Sequence, residues 1–227
     1  MTIWWSSDPH FKHNNAIHFC KRPFKDTDEM DAALIANYNK YVKENDTLIF
    51  VGDISLNKKS NIRPILKRIK CKNKILVLGN HDTKSALPRD CFKLIVNEMT
   101  LKIAGHMVIV SHYPFKWPWW KHILMMMKGH KPRFRDRRPN DKGHFLIHGH
   151  FLIHGHSHSK EKQVKRMIHV GVDCRKFKPV SNEQIAKEIA QTIHREKNAK
   201  LYNKVIKKYK AFRKRIRRHF RKRKGQR

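Results

Sequence analysis

The chain has 227 residues and a formal net charge of +34, which arises from 52 lysines and arginines against 18 aspartates and glutamates. This length suits one substantial core with an appended segment. No apolar run approaches the roughly 18 residues of a membrane-spanning helix, and the N-terminus lacks the pattern of a signal peptide. We therefore expect a cytoplasmic protein whose positive charge attracts polyanions.

The cysteines indicate the same compartment. They are widely scattered and form no CxxC pair, so neither a zinc knuckle nor a disulfide framework is predicted. The four positions are Cys20, Cys71, Cys91 and Cys174. We expect free thiols in a reducing environment.

Strands and helices alternate over the first 80 residues. The predicted elements are a strand at 3–6, a helix at 26–44, a strand at 48–51, a helix at 60–70 and a strand at 75–78. Asp26 and Glu29 fit a capping box at the start of the first helix. This alternation favours an α/β fold with neighbouring parallel strands.

The pattern changes after residue 99. Residues 100–103 and 107–110 predict a β-hairpin around Ala104-Gly105. Residues 115–143 combine basic and aromatic side chains and predict an insertion. Strands are predicted again at 151–153 and 167–172, and a helix follows from residue 182, where Ser181 and Gln184 fit a second capping box.

The C-terminal segment is strongly basic. Residues 200–227 contain no acidic residue, yet their apolar residues keep helical spacing: Leu201, Val205, Tyr209, Phe212, Ile216 and Phe220. We expect a long helix whose apolar face docks on the core or binds a membrane surface or nucleic acid. The predicted organisation is a domain over 1–180 and a basic helical extension over 181–227.

Five polar motifs each follow an apolar, strand-like run. Their candidate metal-binding residues are Asp8, His10, Asp53, Asn80, His112, His156 and His158. Carboxylates, amide oxygens and imidazoles are the ligands that hard and borderline divalent cations prefer. Extended backbone would place Asp8 and His10 on one side of the chain. Asp53, at the end of a buried strand, is suited to bridge two cations.

The ordered motifs DPH, GD, GNHD, SH and GHSH resemble those of the calcineurin-like metallophosphoesterase superfamily. The segments HFCKRPF at 18–24, SHYP at 111–114 and VGVD at 170–173 resemble a small bacterial and phage branch. The resemblance extends to about residue 180. It implies that 1–180 is the catalytic domain, with a two-sheet β-sandwich between flanking helices in four layers, α/β/β/α.

The resemblance also implies roles for single residues. Asp8, His10, Asp53 and His158 would hold one divalent ion, and Asp53, Asn80, His112 and His156 the other. Manganese is expected first, with iron, zinc, nickel or magnesium as alternatives. A bridging hydroxide would attack phosphorus. His81 would be the catalytic histidine beside the phosphate, and Asp82 would orient it.

The last motif is preceded by a repeat. Residues 145–150 and 151–156 share the sequence FLIHGH, and only the second copy continues into Ser157-His158. We expect the second copy to supply the ligands. The first copy, with His148 and His150, is either a tolerated duplication or a segment that exchanges register with the second.

The substrate follows less directly from the residues. Trp117, Trp119 and Trp120 lie among basic residues, a combination that favours nucleotides or single-stranded nucleic acid, although these rings could equally pack the insertion onto the core. We expect hydrolysis of nucleotide or nucleic-acid phosphodiesters. The alternatives are a phosphomonoesterase acting on a small or protein substrate, and a non-catalytic module that binds nucleic acid or membrane and retains a vestigial metal site.

Overall fold

A computed structural model of the chain describes residues 1–56, 61–82, 87–114 and 150–224. The predicted insertion at 115–143, with its three tryptophans, lies outside the described residues. So does the first hexapeptide copy as far as residue 149. Within the described residues, two five-stranded sheets and their flanking helices confirm the predicted α/β sandwich class.

The first sheet carries the parallel strands predicted from the N-terminal half. Its strands are β1 (Ile3–Ser6), β2 (Thr47–Val51), β3 (Asn73–Val77), β4 (Leu94–Val96) and β10 (Val180–Ser181). They lie in the order β10-β1-β2-β3-β4, and all neighbours are parallel except β10 and β1. The sequence did not predict β4, because this edge strand has three residues and leaves Leu94 46% exposed, so it has no buried apolar run.

The second sheet contains the predicted hairpin. Its strands are β5 (Met99–Ile103), β6 (His106–Val110), β7 (Phe151–His154), β8 (Gln163–Val164) and β9 (Met167–His169). They lie in the order β5-β6-β7-β9-β8, and β6, β7 and β9 are parallel. Ala104 and Gly105 turn the hairpin with φ of 49° and 79°, as the right-handed twist of two-residue hairpins requires.

Two of the helices begin at the capping residues that the sequence predicted. The helices are α1 (Asn14–Cys20), α2 (Thr27–Tyr41), α3 (Arg63–Arg68), a short 3₁₀ turn (Arg89–Cys91) and α4 (Asn182–Lys224). Asp26 accepts a hydrogen bond from the Glu29 backbone amide at 2.8 Å. Ser181 and Gln184 cap α4 reciprocally at 2.9 and 3.2 Å, as predicted. The helix predicted at 60–70 covers only Arg63–Arg68, and the seven-residue α1 was not predicted.

The core lies between the first sheet and its helices. Met30, Leu34 and Tyr38 of α2 are fully buried in one cluster with Leu48 and Phe50 of β2. The rings of Tyr38 and Phe50 meet edge to face with centroids 5.5 Å apart. The Tyr38 hydroxyl and the Ser6 hydroxyl lie 2.8 Å apart, so α2 is also anchored to the end of β1.

Ser7, directly after β1, joins the two sheets. Its amide donates to Val170 O at 3.0 Å, and its carbonyl accepts from the Val172 amide at 3.0 Å. Its hydroxyl donates to Val51 O at 2.5 Å. Val170 and Val172 follow β9 of the second sheet, whereas Val51 ends β2 of the first. The carboxyl ends of strands from both sheets therefore meet at Ser7.

The chain divides into two compact units, Met1–Glu188 and Ile189–Arg227. In the second unit, Leu201 and Tyr202 are 64% and 66% exposed. Leu201 therefore does not bury its side chain, and the remaining side chains of the predicted apolar stripe, from Val205 onward, lie outside the described part of the chain. Among the described residues, no helix is long and apolar enough to cross a bilayer. The boundary predicted at residue 180 remains a prediction.

All four cysteines are free thiols, as predicted. Cys71 and Cys174 are buried, and burial raises the pKa of both thiols.

Asp31 of α2 supports the segment that follows β1. It is 3% exposed, and its carboxylate accepts hydrogen bonds from the backbone amide of Lys12 at 3.2 and 3.3 Å. Burial raises the pKa of Asp31 to about 6, against the smaller opposing effect of the Lys12 amide. The folded protein therefore keeps this proton at a pH where the unfolded chain has released it.

We predict that Asp31→Asn removes a pH-dependent destabilisation. Between pH 4 and pH 6 the folded state binds more protons at Asp31 than the unfolded state does, so this residue lowers the stability as the pH rises. Relative to wild type, the Asn variant should gain up to about 2 kcal/mol between pH 4.5 and pH 7. Urea unfolding of the metal-free protein at both pH values measures this difference. An equal difference at both values would contradict the prediction.

Candidate metal centre

The predicted ligands lie on tight loops at the carboxyl ends of the strands. Five of the seven have a left-handed backbone, with φ of 57° at Asp8, 52° at His10, 55° at Asp53, 68° at His156 and 47° at His158. Such angles are uncommon for residues other than glycine and cluster at functional sites. The prediction of extended backbone at Asp8 and His10 is therefore wrong, although both side chains reach the same donor group. The strands end before these motifs, and tight turns aim the side chains inward.

Asp8, His10 and His158 form the first donor group. One donor atom from each of them lies within 4.8 Å of the others. The Nε2 atoms of His10 and His158 are 3.3 Å apart, and Asp8 is fully buried. The His156 amide donates to both Asp8 carboxylate oxygens, at 3.2 and 3.0 Å, and so fixes their orientation.

Asp53, His112 and His156 form the second donor group within the same limit. Asn80 joins them, because its Oδ1 lies 3.1 Å from His112 Nε2 and 2.9 Å from His156 Nδ1. His112 is fully buried, and its Nδ1 donates to Val51 O at 2.8 Å. This bond keeps a proton on Nδ1, so Nε2 is the His112 nitrogen that faces the group.

The Asp53 carboxylate connects the two groups. Its Oδ2 lies 3.3 Å from His112 Nε2 in the second group and 3.9 Å from His10 Nε2 in the first. Burial opposes ionisation of Asp53, but its contacts with His112 and the charges of neighbouring histidines hold its pKa well below its usual range. The carboxylate is therefore anionic and reaches both groups. Its role as a bridging ligand stays a prediction.

The donor set fits two divalent cations. The imidazole nitrogens of the two groups converge with the carboxylates of Asp8 and Asp53 and the amide oxygen of Asn80, which is the chemistry that borderline divalent ions select. Burial lowers the pKa of His10 to about 3, so its ring is neutral and can ligate. Among the described residues, nothing hydrogen-bonds its buried Nδ1. Nε2 is the His10 nitrogen that faces the other donors.

Glycines make room for these side chains. A Cβ on Gly52 would overlap the His112 ring, and one on Gly79 would overlap the Asp53 carboxylate. A Cβ on Gly155 would overlap the Ser7 hydroxyl and lie 2.5 Å from Asp8 Oδ2. The glycine of each of the GD, GNHD and GHSH motifs thus lets the backbone of one loop approach a side chain of another.

His81 lies beside the two groups and reaches solvent. Its side chain is 33% exposed, and its Nε2 is 3.9 Å from Asp53 Oδ2. Its amide donates to Asp53 Oδ1 at 2.9 Å. Burial lowers the pKa of His81, although the charge of Asp53 opposes this. The ring is therefore neutral at pH 7 and open to a ligand from solvent.

The sequence predicted that Asp82 orients the His81 ring, but the observed partners of Asp82 are backbone amides. Its carboxylate accepts from the backbone amides of Asp53 at 2.8 Å, Ile54 at 3.0 Å and Gly79 at 2.8 Å. Among the described residues, its carboxylate forms no hydrogen bond with the His81 ring, and its role in orienting that ring stays a prediction. Asp82 instead ties the loop after β3 to the loop after β2, and so sets the backbone that carries His81 and Asp53.

Sequence reasoning missed Arg22, Asp173 and Cys20 as parts of the site. Asp173 and Cys20 lie against His158 in a third group of potential donors, and Arg22 binds Asp173. Their only signal was their place in the segments 18–24 and 170–173, which carried the family resemblance but no assigned role. His13 also adjoins the site, with its ring centroid 5.4 Å from that of His10.

The second hexapeptide copy takes the expected position. It forms β7 and continues into the loop that carries His156 and His158. His148 of the first copy lies outside the described residues, and the described part of that copy is His150 alone. The choice between a tolerated duplication and register exchange therefore remains a prediction.

Residues 1–174 match the family model of the calcineurin-like phosphoesterases. The chain belongs to this family. Membership implies hydrolysis of phosphoester bonds with divalent metal ions, in agreement with the donor groups described above.

Similar proteins occur in phages, archaea and bacteria. The Gene 66 protein of Mycobacterium phage L5 is 29% identical over 197 residues, which cover 75% of this chain and 86% of the phage protein. An uncharacterized protein of Methanocaldococcus jannaschii is 39% identical over 82 residues, 35% of this chain, and the match spans about half, 46%, of that protein. The crystal structure of a protein of unknown function from Aquifex aeolicus superposes with a TM-score of 0.61 at 26% identity, and the match covers 82% of this chain and 98% of that one.

We predict that Gly155→Ala weakens Mn²⁺ binding at least tenfold. The added Cβ displaces the Asp8 carboxylate or the Ser7 hydroxyl, and the backbone of Gly155 contributes no positive-φ strain. Gly105→Ala is the matched control. A Cβ there meets nothing within 4 Å, so this change costs only the strain of φ +79°. Titration of both metal-free variants with Mn²⁺ checks the difference, and equal affinities would contradict the prediction.

Proposed function

We propose that the two donor groups hold two divalent cations, Mn²⁺ first among them, and that the protein hydrolyses phosphodiester bonds of nucleotides or nucleic acid. The observation that carries the first part is the position of Asp53 Oδ2, which lies within 4 Å of one histidine from each donor group and of His81. Two cations held close together repel each other and need a shared anion between them.

The bound cations would polarise the phosphoryl oxygens and activate a water as nucleophile. The contribution of the protein is to fix the donors before substrate arrives. Three backbone amides hold Asp82, the His156 amide holds Asp8, and the Val51 carbonyl holds His112. The donors therefore need little reorganisation when charge develops at phosphorus.

His81 is the proposed catalytic residue. Its ring lies close to Asp53 and is partly exposed to solvent. A neutral imidazole there can donate one hydrogen bond to a phosphoryl oxygen and stabilise the charge that grows on it in the transition state. After protonation it can also give a proton to the leaving oxygen. Asp82 is a positioning residue, because it acts on the backbone rather than on the substrate.

The preference for polyanionic diesters is supported by charge. The formal net charge is +34, and in the described part of α4 four exposed lysines follow helical spacing at positions 197, 200, 204 and 207. Such a stripe presents several cations to one phosphate backbone.

We predict that two substitutions distinguish residues needed for Mn²⁺ binding from residues needed only for hydrolysis. Asp53→Asn removes the shared anion and should abolish both the second Mn²⁺ and the turnover of an aryl phosphodiester. His81→Ala should keep two Mn²⁺ per chain and lower kcat by about 10²–10⁴-fold. Metal analysis and steady-state kinetics measure both effects. His194→Ala, at an exposed histidine of α4, is the control and should match wild type.

The same assay tests the ester class. The proposal requires a larger kcat/KM for the aryl diester than for the matching aryl monoester, and the reverse order would favour a phosphomonoesterase. If the wild-type protein showed no metal-dependent turnover of either ester, the proposed enzymatic function would be wrong. A polyanion-binding module would then be the better interpretation.

We predict that the α4 lysines set the salt dependence of polyanion binding. Replacement of the four lysines by glutamine should reduce the slope of log Kd for single-stranded DNA against log salt by about 0.7 for each phosphate that no longer meets a lysine. Turnover of the small diester should not change. The control replaces four exposed lysines of the first unit, at positions 40, 43, 67 and 70. An equal reduction of the slope in both variants would mean that binding follows net charge rather than this helix.

A further inference from the structure

Arg22 lies just after α1, and every N–H group of its guanidinium donates a hydrogen bond. The residue is 5% exposed. Nε and Nη2 donate to Asp173 Oδ1 and Oδ2 at 2.8 and 2.9 Å, which forms a bidentate pair. Nη2 also donates to Asp8 O at 2.8 Å, and Nη1 donates to Pro9 O at 2.8 Å and Met30 Sδ at 3.3 Å. These five hydrogen bonds match the five N–H groups of arginine.

The Asp173 carboxylate extends this arrangement to His158. Its Oδ2 accepts from His158 Nδ1 at 2.8 Å while it also binds Arg22. The bidentate pair with Arg22 supplies the positive partner of this carboxylate. Its Oδ2 accepts the proton that His158 carries on Nδ1, so Nε2 is the His158 nitrogen that faces His10.

The ion pair connects donors that are far apart in sequence. Arg22 holds the backbone of Asp8 and Pro9, whose left-handed turn aims Asp8 and His10 inward. Asp173 holds the ring of His158, whose Nε2 faces His10. One buried ion pair thus supports both the backbone turn that carries Asp8 and His10 and the ring of His158. The second group has other supports, since His112 is held by Val51 O and Asn80 contacts His112 and His156.

We propose that Arg22 and Asp173 are positioning residues for the first donor group, and that they raise the affinity for one of the two cations without acting on the other. This inference rests on the proposed function, because it presumes a cation in each donor group. It assigns a role to the segments 18–24 and 170–173. Groups that orient metal ligands contribute roughly 10–100-fold in metal affinity.

The test is a calorimetric titration of the metal-free full-length protein with Mn²⁺ alone. Arg22→Lys keeps the charge but loses the planar fork that binds Asp173 and both carbonyls. Asp173→Asn keeps the shape but loses the charge that orients His158. Each variant should weaken one Mn²⁺ site by about 10–100-fold and leave the other within about twofold of wild type.

Arg175→Lys is the matched control. Arg175 forms a comparable bidentate pair with Glu188, at 2.6 and 3.0 Å, and Glu188 belongs to neither donor group. The control should bind two Mn²⁺ with wild-type affinities. The double variant Arg22→Lys/Asp173→Asn should be little weaker than the worse single variant, because both changes break the same connection.

The outcomes distinguish this inference from the proposed function. If wild type binds two Mn²⁺ and hydrolyses the diester, but the variants keep both affinities or lose both equally, the inference fails alone. If wild type binds fewer than two Mn²⁺, the dinuclear proposal fails, and the inference fails with it. Should Arg22→Lys not fold, as judged by thermal unfolding, the Asp173→Asn titration decides the question.

Discussion

The candidate centre depends on the backbone pairing of Ser7 with Val170 and Val172, at 3.0 Å each. This pairing joins the end of the first sheet to the segment that follows the second sheet. It places the loop of Asp8 against the loop of His156, whose amide binds the Asp8 carboxylate. Without it the two halves of the donor set would belong to separate sheets. Parallel strands end at a common edge, so each sheet then contributes its loops to the same place.

Burial and pre-orientation explain why the donors are ready to bind cations. Asp8, Asp53 and His112 are at most 2% exposed, and backbone amides or carbonyls hold each of them. A buried carboxylate without such partners would be costly and would protonate. The loops therefore hold carboxylates and imidazoles in close contact, and the left-handed backbone at five of the seven candidate ligands is part of that arrangement.

Much of the fold could be predicted from the sequence because its signals are local. Apolar runs identified β1, β2, β3 and β6, and the capping residues Asp26 and Ser181 located two helix starts. The short elements α1 and β4 were not predicted, because seven and three residues show too little periodicity to distinguish them from loops. The predicted backbone at Asp8 and His10 was wrong because strand geometry was extended past the end of the strand, into turns that only tertiary contacts hold.

By itself, the sequence determined most of the element types, the family and the candidate donor residues, because these depend on residue chemistry and order along the chain. The tertiary structure decided how the donors are held. Arg22 and Asp173 are 151 residues apart, and Asp82 binds amides that lie 28 and 29 positions away. Such contacts leave no periodic trace in one sequence. They exist because the sheets bring distant loops together in a space where every buried charge must find a partner.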